Sequence, residues 1–384
     1  MYSTIILSAR PMTANKYTNS KPKVLVFVLG SIGDTVATIP ATRAIRRHFG
    51  AEADICLLHE TRTGIKTTPA DLLSEEPEIN RFISYPYSST LSRKLLVAIQ
   101  VWLRLKRNKF RSVVYLMPSE RTAEQVKRDA QFFRFCGIHQ QIGFKAFPRE
   151  HLYPVDADGH PGQVLHEALC RLERLRLGGI DVSKEADLSK PFLHIARDYS
   201  TNAMKWLDKE RKQKDKALIA ICPGSKQPAN LWPEERFIEI GKRLIRKNKY
   251  ELIVIGGPVE THIGNRMINA WGEGLNAAGQ LSVLESAALL GLCSFCIGLD
   301  TGTTHLAATQ GIPCVALYGE RDNKGRFEPL GKGHIVLRTK VPCAGCRLIE
   351  TPCPIPGHPC MRGIEVDSVW EAVLQMEAYL ENIS

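Results

Sequence analysis

The stretch CIGLDTGTTHLAATQGIPCVALYG, residues 296–319, contains two apolar runs separated by a short polar segment. The first run ends at Asp300, and the second begins after Pro313. Short continuous apolar runs are typical of strands in a parallel sheet, because both faces of such a sheet are covered. Residues 303–309, between the two runs, are predicted to be helical. The stretch therefore predicts a strand–helix–strand unit with a carboxylate at the end of its first strand.

The residues after Asp300 suit the start of a helix that faces a ligand. Thr301 can cap the helix, and Gly302 allows a ligand to approach the backbone closely. The free N–H groups and the positive dipole end of such a helix form a site for an anion. His305 lies four residues after Thr301, so the two side chains share one face. The alternative is a plain helix cap without a ligand, and this motif alone does not decide between the two.

The same alternation of apolar strands and amphipathic helices continues along the chain in two halves. Strands are predicted at 24–29 and 111–117 in the first half, and at 217–222 and 251–257 in the second. The segment 34–50, DTVATIPATRAIRRHFG, is predicted to be one helix that ends at a glycine. A chain of 384 residues exceeds what one core usually serves, so we expect an α/β protein with two domains.

Polar stretches between residues 180 and 215 mark the predicted domain boundary. We predict a mobile extension at 1–20, an N-terminal domain at 21–195 and a C-terminal domain at 196–365. The last segment, 366–384, is predicted to be a terminal helix. The extension contains no acidic residue, and its apolar part is too short for a signal-peptide core.

Composition restricts the expected partners and location. The net charge of +11 favours anionic partners such as nucleotides, nucleic acid or an acidic membrane. No apolar run approaches the roughly 18 residues that span a bilayer. We therefore expect a cytoplasmic protein. Its 11 cysteines would then be reduced, which favours buried packing or metal binding over a disulfide framework.

A second glycine turn, GSIGDTVATIPA at residues 30–41, also follows a predicted strand. Gly30 and Gly33 form the turn, and Asp34 opens the helix. One interpretation is a dinucleotide-binding fingerprint, although only two of its three glycines are present. This interpretation predicts an NAD-dependent oxidoreductase built on the Gly30/Gly33 turn. Simple helix capping by Asp34 is another.

Two motifs in the second half follow predicted strands as well. ICPGSKQPANLWPEERF, residues 221–237, passes through Pro-Gly-Ser-Lys and enters a helix at Trp-Pro. VIGGPVE, residues 254–260, ends at Glu260 after a glycine turn. Each motif is weak alone, whereas four motifs in a fixed order at strand ends are informative.

Together the four motifs resemble glycosyltransferase family 9, the bacterial heptosyltransferase family of lipopolysaccharide core assembly. The matching pieces are G-S-I-G-D-x-x-x-x-x-P-A, P-G-S-K-x-x-x-x-x-W-P, G-G-P-x-E and D-T-G-x-x-H-x-A-A. The resemblance implies a GT-B fold with two Rossmann-like domains that face a central cleft. It also implies an inverting, metal-independent transfer of heptose or a related sugar, with ADP-heptose as donor and a lipopolysaccharide-type, lipid-linked or oligosaccharide acceptor.

The resemblance assigns residues to both substrates. Asp34 would be the general base that takes the proton of the acceptor hydroxyl. The acceptor-side residues are Gly30, Ser31 and Gly33. The donor-binding residues are Ser225, Lys226, Glu260, Asp300, Thr301, Gly302 and His305. Among these, Glu260 would hold ribose or sugar hydroxyls, and the helix start after Asp300 would hold the diphosphate.

The chain departs from the family pattern at one position. Family members often carry a lysine two residues before Trp-Pro, where it is expected to contact phosphate. Here that residue is Asn230. We expect Lys226, four residues earlier, to supply the charge, and the change leaves the nucleotide of the donor open.

The sequence offers two candidate metal sites. The Cys-rich loop 343–360 has four cysteines, which suit a structural zinc ion with His358 as a substitute ligand. Free thiols or loop disulfides are the alternatives. The four cysteines are Cys343, Cys346, Cys353 and Cys360. Asp156 and Asp158 form a D-x-D pattern, which we interpret as a solvated turn because no strand precedes it.

A basic segment at residues 91–111, LSRKLLVAIQVWLRLKRNKFR, contains seven Lys or Arg and no acid. It is predicted to be a crossover helix packed on the sheet with its charges solvated. It also suits peripheral contact with an anionic membrane, here the inner face of a bacterial inner membrane. We expect no nucleic-acid partner. A non-catalytic, zinc-containing binding protein with this basic surface is the remaining alternative function.

Overall fold

The part of the chain that can be described excludes several short segments. The computed structural model describes residues 21–29, 31–62, 67–185, 192–348 and 352–383. The predicted extension at 1–20 and Gly30 of the first glycine turn lie outside the described residues. Within the described ranges, no helix combines the length and the apolar character needed to cross a membrane.

The chain folds into two compact units. The first consists of Met1–Leu152 and Glu167–Asp187, and the second of Tyr153–His166 and Leu188–Ser384. The sequence predicted a single boundary after residue 195, whereas the chain also enters the second unit at Tyr153–His166 and returns.

Hydrogen bonds hold the segment Tyr153–His166 in the second unit. The buried Asn323 amide donates to the carbonyl oxygens of Pro154 and Gly162, at 2.8 and 3.0 Å. A single buried asparagine leaves no periodic pattern in the sequence, so this crossing was not predicted.

The first unit contains a five-stranded parallel sheet with the strand order β3–β2–β1–β4–β5. Its strands are β1 (Lys23–Phe27), β2 (Asp54–Thr61), β3 (Arg81–Pro86), β4 (Ser112–Tyr115) and β5 (Gln140–Ile142). Its helices are α1 (Ile32–Val36), α2 (Ile39–Phe49), α3 (Pro69–Leu73), α4 (Leu91–Asn108), α5 (Ala123–Phe135), α6 (Arg149–Leu152) and α7 (Glu167–Leu177). Burial of β1 and β4 on both faces explains their continuous apolar sequences.

The prediction of one helix over residues 34–50 was wrong, because the structure has α1 and α2 there. Pro40 lies in the first turn of α2. Proline has no backbone N–H, and inside a longer helix its ring would clash with the carbonyl of residue 36. At the start of a helix both costs disappear, so the chain turns at 37–38 and begins a new helix.

The second unit contains a six-stranded parallel sheet with the order β11–β10–β9–β6–β7–β8. Its strands are β6 (Ala217–Cys222), β7 (Tyr250–Val254), β8 (Leu275–Asn276), β9 (Phe295–Leu299), β10 (Cys314–Leu317) and β11 (Ile335–Leu337). Its helices are α8 (Arg197–Glu210), α9 (Glu234–Arg246), α10 (Thr261–Trp271), α11 (Val283–Leu290), α12 (Gly302–Thr309), α13 (Pro359–Arg362) and α14 (Val366–Ile383). Short 3₁₀ turns occupy Pro228–Asn230 and Pro258–Glu260.

The strand order locates the ligand-binding edge of each sheet. In open parallel sheets, ligands bind beyond the carboxyl ends of the strands, where the strand order reverses. The order reverses between β1 and β4 in the first unit and between β6 and β9 in the second. Asp34 follows β1 and Asp300 follows β9, so each acid lies beside a reversal point.

Candidate functional site

Asp34 lies in the first turn of α1, immediately beyond β1. Its side chain accepts hydrogen bonds from the backbone N–H and the hydroxyl of Ser31, at 3.1 and 3.2 Å. Ser31 is the N-cap residue, so the two residues form a capping box. The carboxylate is only 19% exposed. The cap therefore holds Asp34 at the sheet edge and leaves its second oxygen available for other contacts.

A buried ion-pair chain reaches Asp34 from α7. Arg171 is fully buried; its Nη2 lies 3.5 Å from Asp34 Oδ1, and its Nη1 donates to the Asp34 backbone carbonyl. Arg171 Nε lies 3.3 Å from Glu167 Oε1. Glu167 in turn accepts from the backbone N–H and the hydroxyl of Ser119, at 2.8 and 2.6 Å. A second α7 arginine, Arg174, donates to the Ser119 carbonyl and so fixes the Ser119 end of this row of contacts.

These neighbours act on the pKa of Asp34 in opposite directions. Burial raises the pKa, because the ionised carboxylate loses hydration. The positive charge of Arg171 lowers it, the negative charge of Glu167 raises it, and the Ser31 hydrogen bonds lower it. The result is a pKa above the usual value for aspartate. A raised pKa makes a carboxylate a better proton acceptor in catalysis.

The first unit also contains a pocket of about 450 Å³ at the same sheet edge. Phe27, Glu60 and Tyr85, at the ends of β1, β2 and β3, line it together with Lys94 of α4 and Phe132 of α5. Aromatic rings and a few charged groups are typical of small-molecule sites.

In the second unit, α12 begins directly after Asp300, at Gly302. Thr301 is the N-cap residue in an extended conformation, and its hydroxyl makes no capping bond. The hydroxyl of the buried Thr304 donates to the Leu299 carbonyl at 2.7 Å, which ties the helix to the end of β9. Binding of an anion by the Thr301 hydroxyl and the first N–H groups of α12 stays a prediction.

Asp300 belongs to a three-residue polar network that the sequence did not predict. The buried Asn230 amide donates to the backbone carbonyl and to Oδ2 of Asp300, at 3.0 and 3.1 Å. Arg321 Nη2 lies 3.1 Å from the same Oδ2, and Arg321 Nε donates to Asn230 Oδ1 at 2.9 Å. Arg321 follows β10 as Asp300 follows β9. Because these strands are parallel neighbours, that shared position was a signal that sequence analysis could have used.

His305 is buried on α12, 6% exposed, with its ring against Phe327. Burial lowers the pKa of the imidazole, and the nearby charge of Asp300 opposes this only in part. The lowered pKa favours the neutral imidazole, which can donate or accept a hydrogen bond.

Glu260 lies close to the Pro-Gly-Ser-Lys loop, and two glycines leave the space for it. Its Oε2 accepts from the Gly257 N–H at 2.8 Å. A Cβ at Gly224 would lie 2.3 Å from Glu260 Cγ, and one at Gly256 would lie 2.8 Å from Glu260 Cβ. The glycines of two separate motifs thus make room for one carboxylate. In the same loop the Ser225 hydroxyl accepts from a backbone N–H, and Lys226 is exposed.

The candidate metal ligands do not form a preformed site. Across the described ranges, no group of three or more His, Cys, Asp or Glu side chains is arranged to hold a metal ion. Cys346 is exposed, Cys360 is buried, and Cys343 and Cys353 are half-buried. Residues 349–351 of this loop lie outside the described residues. The side chain of His358 contacts the Ala229 carbonyl at 2.9 Å instead. Zinc binding by these four cysteines stays a prediction, and no chemical step is assigned to a metal ion.

The D-x-D pattern is a turn. Asp156 accepts from the backbone N–H groups of Asp158 and His160, at 3.0 and 2.9 Å. Both aspartates are exposed. Its local hydrogen bonds explain the conformation of Asp156 without a metal ion.

Comparison with known proteins shows the family. Residues 122–354, more than half of the chain, match the sequence profile of glycosyltransferase family 9 (heptosyltransferase). The chain therefore belongs to glycosyltransferase family 9. This membership favours a transferase over the two alternatives, an NAD-dependent oxidoreductase and a non-catalytic binding protein.

Known relatives agree with this assignment. The lipopolysaccharide heptosyltransferase 2 of Salmonella typhimurium is 31% identical over 113 residues, which are 27% of this chain and 32% of that relative. The match thus spans about a third of that relative's length.

Solved structures confirm the predicted GT-B fold with its two parallel sheets. A family 9 glycosyltransferase from Veillonella parvula has a TM-score of 0.66 at 18% identity, covering 92% of this chain and 97% of that one. The E. coli ADP-heptose LPS heptosyltransferase II has a TM-score of 0.63 at 19% identity, covering 94% and 99%.

Proposed function

We propose that the protein transfers heptose from ADP-heptose to a lipopolysaccharide-core or similar glycan acceptor. The observation that carries the chemistry is Asp34, a mostly buried carboxylate beyond β1 with a raised pKa. Family membership supports the transferred sugar, and the name of the E. coli structural relative supports the ADP-linked donor.

The proposed step is a single displacement. The acceptor hydroxyl oxygen attacks the anomeric carbon, and Asp34 takes the hydroxyl proton. The bond from that carbon to the diphosphate oxygen breaks, and its electron pair leaves with ADP. One attack from the side opposite the leaving group inverts the anomeric centre. Because Asp34 accepts the proton late, when the hydroxyl has become acidic, a carboxylate is a sufficient base.

The leaving diphosphate gains negative charge, which the second unit is suited to stabilise. The N–H groups at the start of α12 and the Thr301 hydroxyl would donate to phosphate oxygens. Glu260, held by the Gly257 N–H, would accept from ribose or sugar hydroxyls with its other oxygen. We propose that these donors serve in place of a metal ion.

We also propose that α4 brings the protein to an anionic membrane that carries the acceptor. As predicted, Val101 and Leu105 pack α4 against the core of the first unit, and the charged side chains of the helix are exposed. An exposed apolar stripe runs along the opposite side, and this stripe consists of Leu91, Leu95, Leu96, Ile99 and Leu103. Exposed Lys and Arg flank it, and residues 91–111 contain no acid. Apolar side chains bordered by cations fit a negatively charged lipid surface.

Replacement of Asp34 tests the chemistry. With ADP-heptose and a heptose-deficient core acceptor, Asp34→Asn should lower kcat by about 10²–10⁴-fold, the usual contribution of a general base. Because the Asp34 pKa is raised, its charge costs stability at neutral pH, so the variant should melt no lower than the wild type at pH 7.

Ligand-induced thermal stabilisation tests the donor. A ligand that binds only the folded state raises the melting temperature. ADP should stabilise the wild type and Asp34→Asn alike, while NAD should stabilise neither. Full turnover by Asp34→Asn would exclude Asp34 as the base, and stabilisation by UDP or GDP alone would change the nucleotide of the donor.

A further inference from the structure

Position 230 lacks the positive charge that the family pattern places before Trp-Pro. Asn230 is 1% exposed and donates both to the backbone and to the carboxylate of Asp300. The neutral Asn230 amide donates hydrogen bonds to Asp300 but does not neutralise the negative charge of its carboxylate. A diphosphate bound at the start of α12 would then meet an uncompensated carboxylate, which is unfavourable at short range.

Arg321, in the loop after β10, brings a positive charge to Asp300. Its guanidinium contacts Asp300 Oδ2 at 3.1 Å and Asn230 Oδ1 at 2.9 Å. The Asn230 side chain therefore orients the arginine as well as the aspartate. A lysine at position 230 could not accept the Arg321 hydrogen bond, because an ammonium group has no acceptor. Asn230 and Arg321 are thus chemically matched to each other.

The guanidinium retains donors for a ligand. Arginine has five N–H donors. Its bonds to Asn230, Asp300 and the Leu348 carbonyl, the last at 3.4 Å, engage one donor on each nitrogen. One N–H on each terminal nitrogen remains beyond these bonds with the described residues. The side chain is 13% exposed, so it is positioned by its neighbours yet open to solvent.

We infer that Arg321 binds the phosphate oxygens of the donor, in place of the lysine expected at position 230. This inference rests on the proposed function, since it concerns the same diphosphate. A planar guanidinium with two parallel N–H groups suits phosphate better than a single ammonium group. Lys226, the residue that the sequence favoured, is exposed in the loop after β6, whereas Arg321 contacts Asp300 directly.

Calorimetric titration with ADP and with adenosine separates phosphate binding from nucleoside binding. Arg321→Ala should weaken ADP binding by about 10- to 100-fold, as expected for a charge-assisted hydrogen bond, and leave adenosine binding within about twofold of wild type. Adding Asn230→Lys to Arg321→Ala should recover most of the ADP affinity, because it restores a cation beside Asp300. Lys332→Ala, which removes an exposed charge of the same unit, is the matched control.

Other outcomes overturn the inference in distinguishable ways. Equal losses for ADP and adenosine would assign Arg321 a purely structural role. Loss of ADP binding in Lys226→Ala but not in Arg321→Ala would return the role to Lys226. If the wild type binds UDP or GDP instead of ADP, equal affinity of Arg321→Ala and the wild type for that diphosphate would likewise overturn the inference. A wild type that binds no nucleoside diphosphate would overturn the proposed function together with the inference.

Discussion

At the residue scale, the charge on Asp34 is balanced between two α7 side chains. Glu167 raises the pKa of Asp34 and Arg171 lowers it. Because Asp34 must be ionised to accept a proton, any change in its pKa moves the acidic limb of the pH–rate profile in the same direction. Removing Glu167 and removing Arg171 should therefore shift the acidic limb of the pH–rate profile in opposite directions.

Replacing each neighbour tests this balance. Glu167→Gln should lower the pKa of Asp34 and move the acidic limb of kcat/KM to lower pH, whereas Arg171→Gln should move it to higher pH. Glu173→Gln, which changes a largely exposed ion pair with Arg176 on the same helix, should leave the profile unchanged. Shifts in the same direction for both variants would contradict the balance.

The two variants differ in their risk to folding. Removing one partner of a buried ion pair costs about 3–5 kcal/mol, and Arg171 pairs with both Asp34 and Glu167. Because Arg171→Gln leaves two carboxylates without their cation, it is expected to be the less stable protein. Glu167→Gln keeps a polar group beside Ser119 and Arg171, so it remains informative even if Arg171→Gln fails to fold.

Sequence analysis proposed candidate site residues that follow strands but did not find the buried residues that contact them. Asp34 and Asp300 follow apolar strands, and that position predicts a ligand site. Arg171 and Glu167 lie on a helix, where charged residues usually face solvent, so their burial leaves no mark in the sequence. Their roles depend on distances between segments far apart in the chain.

At the element scale, two glycine motifs depend on one contact. Gly224 follows β6 and Glu260 follows β7, and these strands are parallel neighbours. The loops beyond them approach so closely that a Cβ at Gly224 would overlap Glu260. Sequence analysis recognised each motif separately, but periodicity carries no information about the distance between two loops.

Filling this space should move Glu260. Gly224→Ala would place a Cβ 2.3 Å from Glu260 Cγ, so we expect KM for the nucleotide sugar to rise at least tenfold with a smaller change in kcat. Gly257→Ala would place its Cβ 3.3 Å from the same carboxylate and is the milder comparison. Steady-state kinetics with varied donor measures both. Equal KM values for Gly224→Ala and the wild type would show that Glu260 does not contact the donor.

At the scale of the whole molecule, the α/β class and the two parallel sheets were predicted from continuous apolar strands, while the path of the chain was not. Strands buried on both faces impose a composition that is visible in sequence. The segment Tyr153–His166 is held in the second unit by Asn323, and a few specific hydrogen bonds impose no composition.

The α4 stripe predicts a property of the whole protein, its partition between water and lipid. The protein should sediment with vesicles of phosphatidylcholine containing phosphatidylglycerol and not with phosphatidylcholine alone, and added salt should release it. Leu95→Gln with Ile99→Gln should weaken binding at least tenfold by removing apolar side chains from the stripe. Leu374→Gln, an exposed leucine on α14, is the matched control.

A second copy of the protein is the competing occupant of the stripe, and charge argues against it. A symmetric contact through α4 would bring the basic residues of two copies together, which is unfavourable in the absence of acids within residues 91–111. Sedimentation equilibrium distinguishes the two cases. A dimer that dissociates in the Leu95→Gln, Ile99→Gln variant, without any vesicle binding by the wild type, would assign the stripe to self-association; a wild-type monomer that binds anionic vesicles in a salt-dependent way would assign it to the membrane.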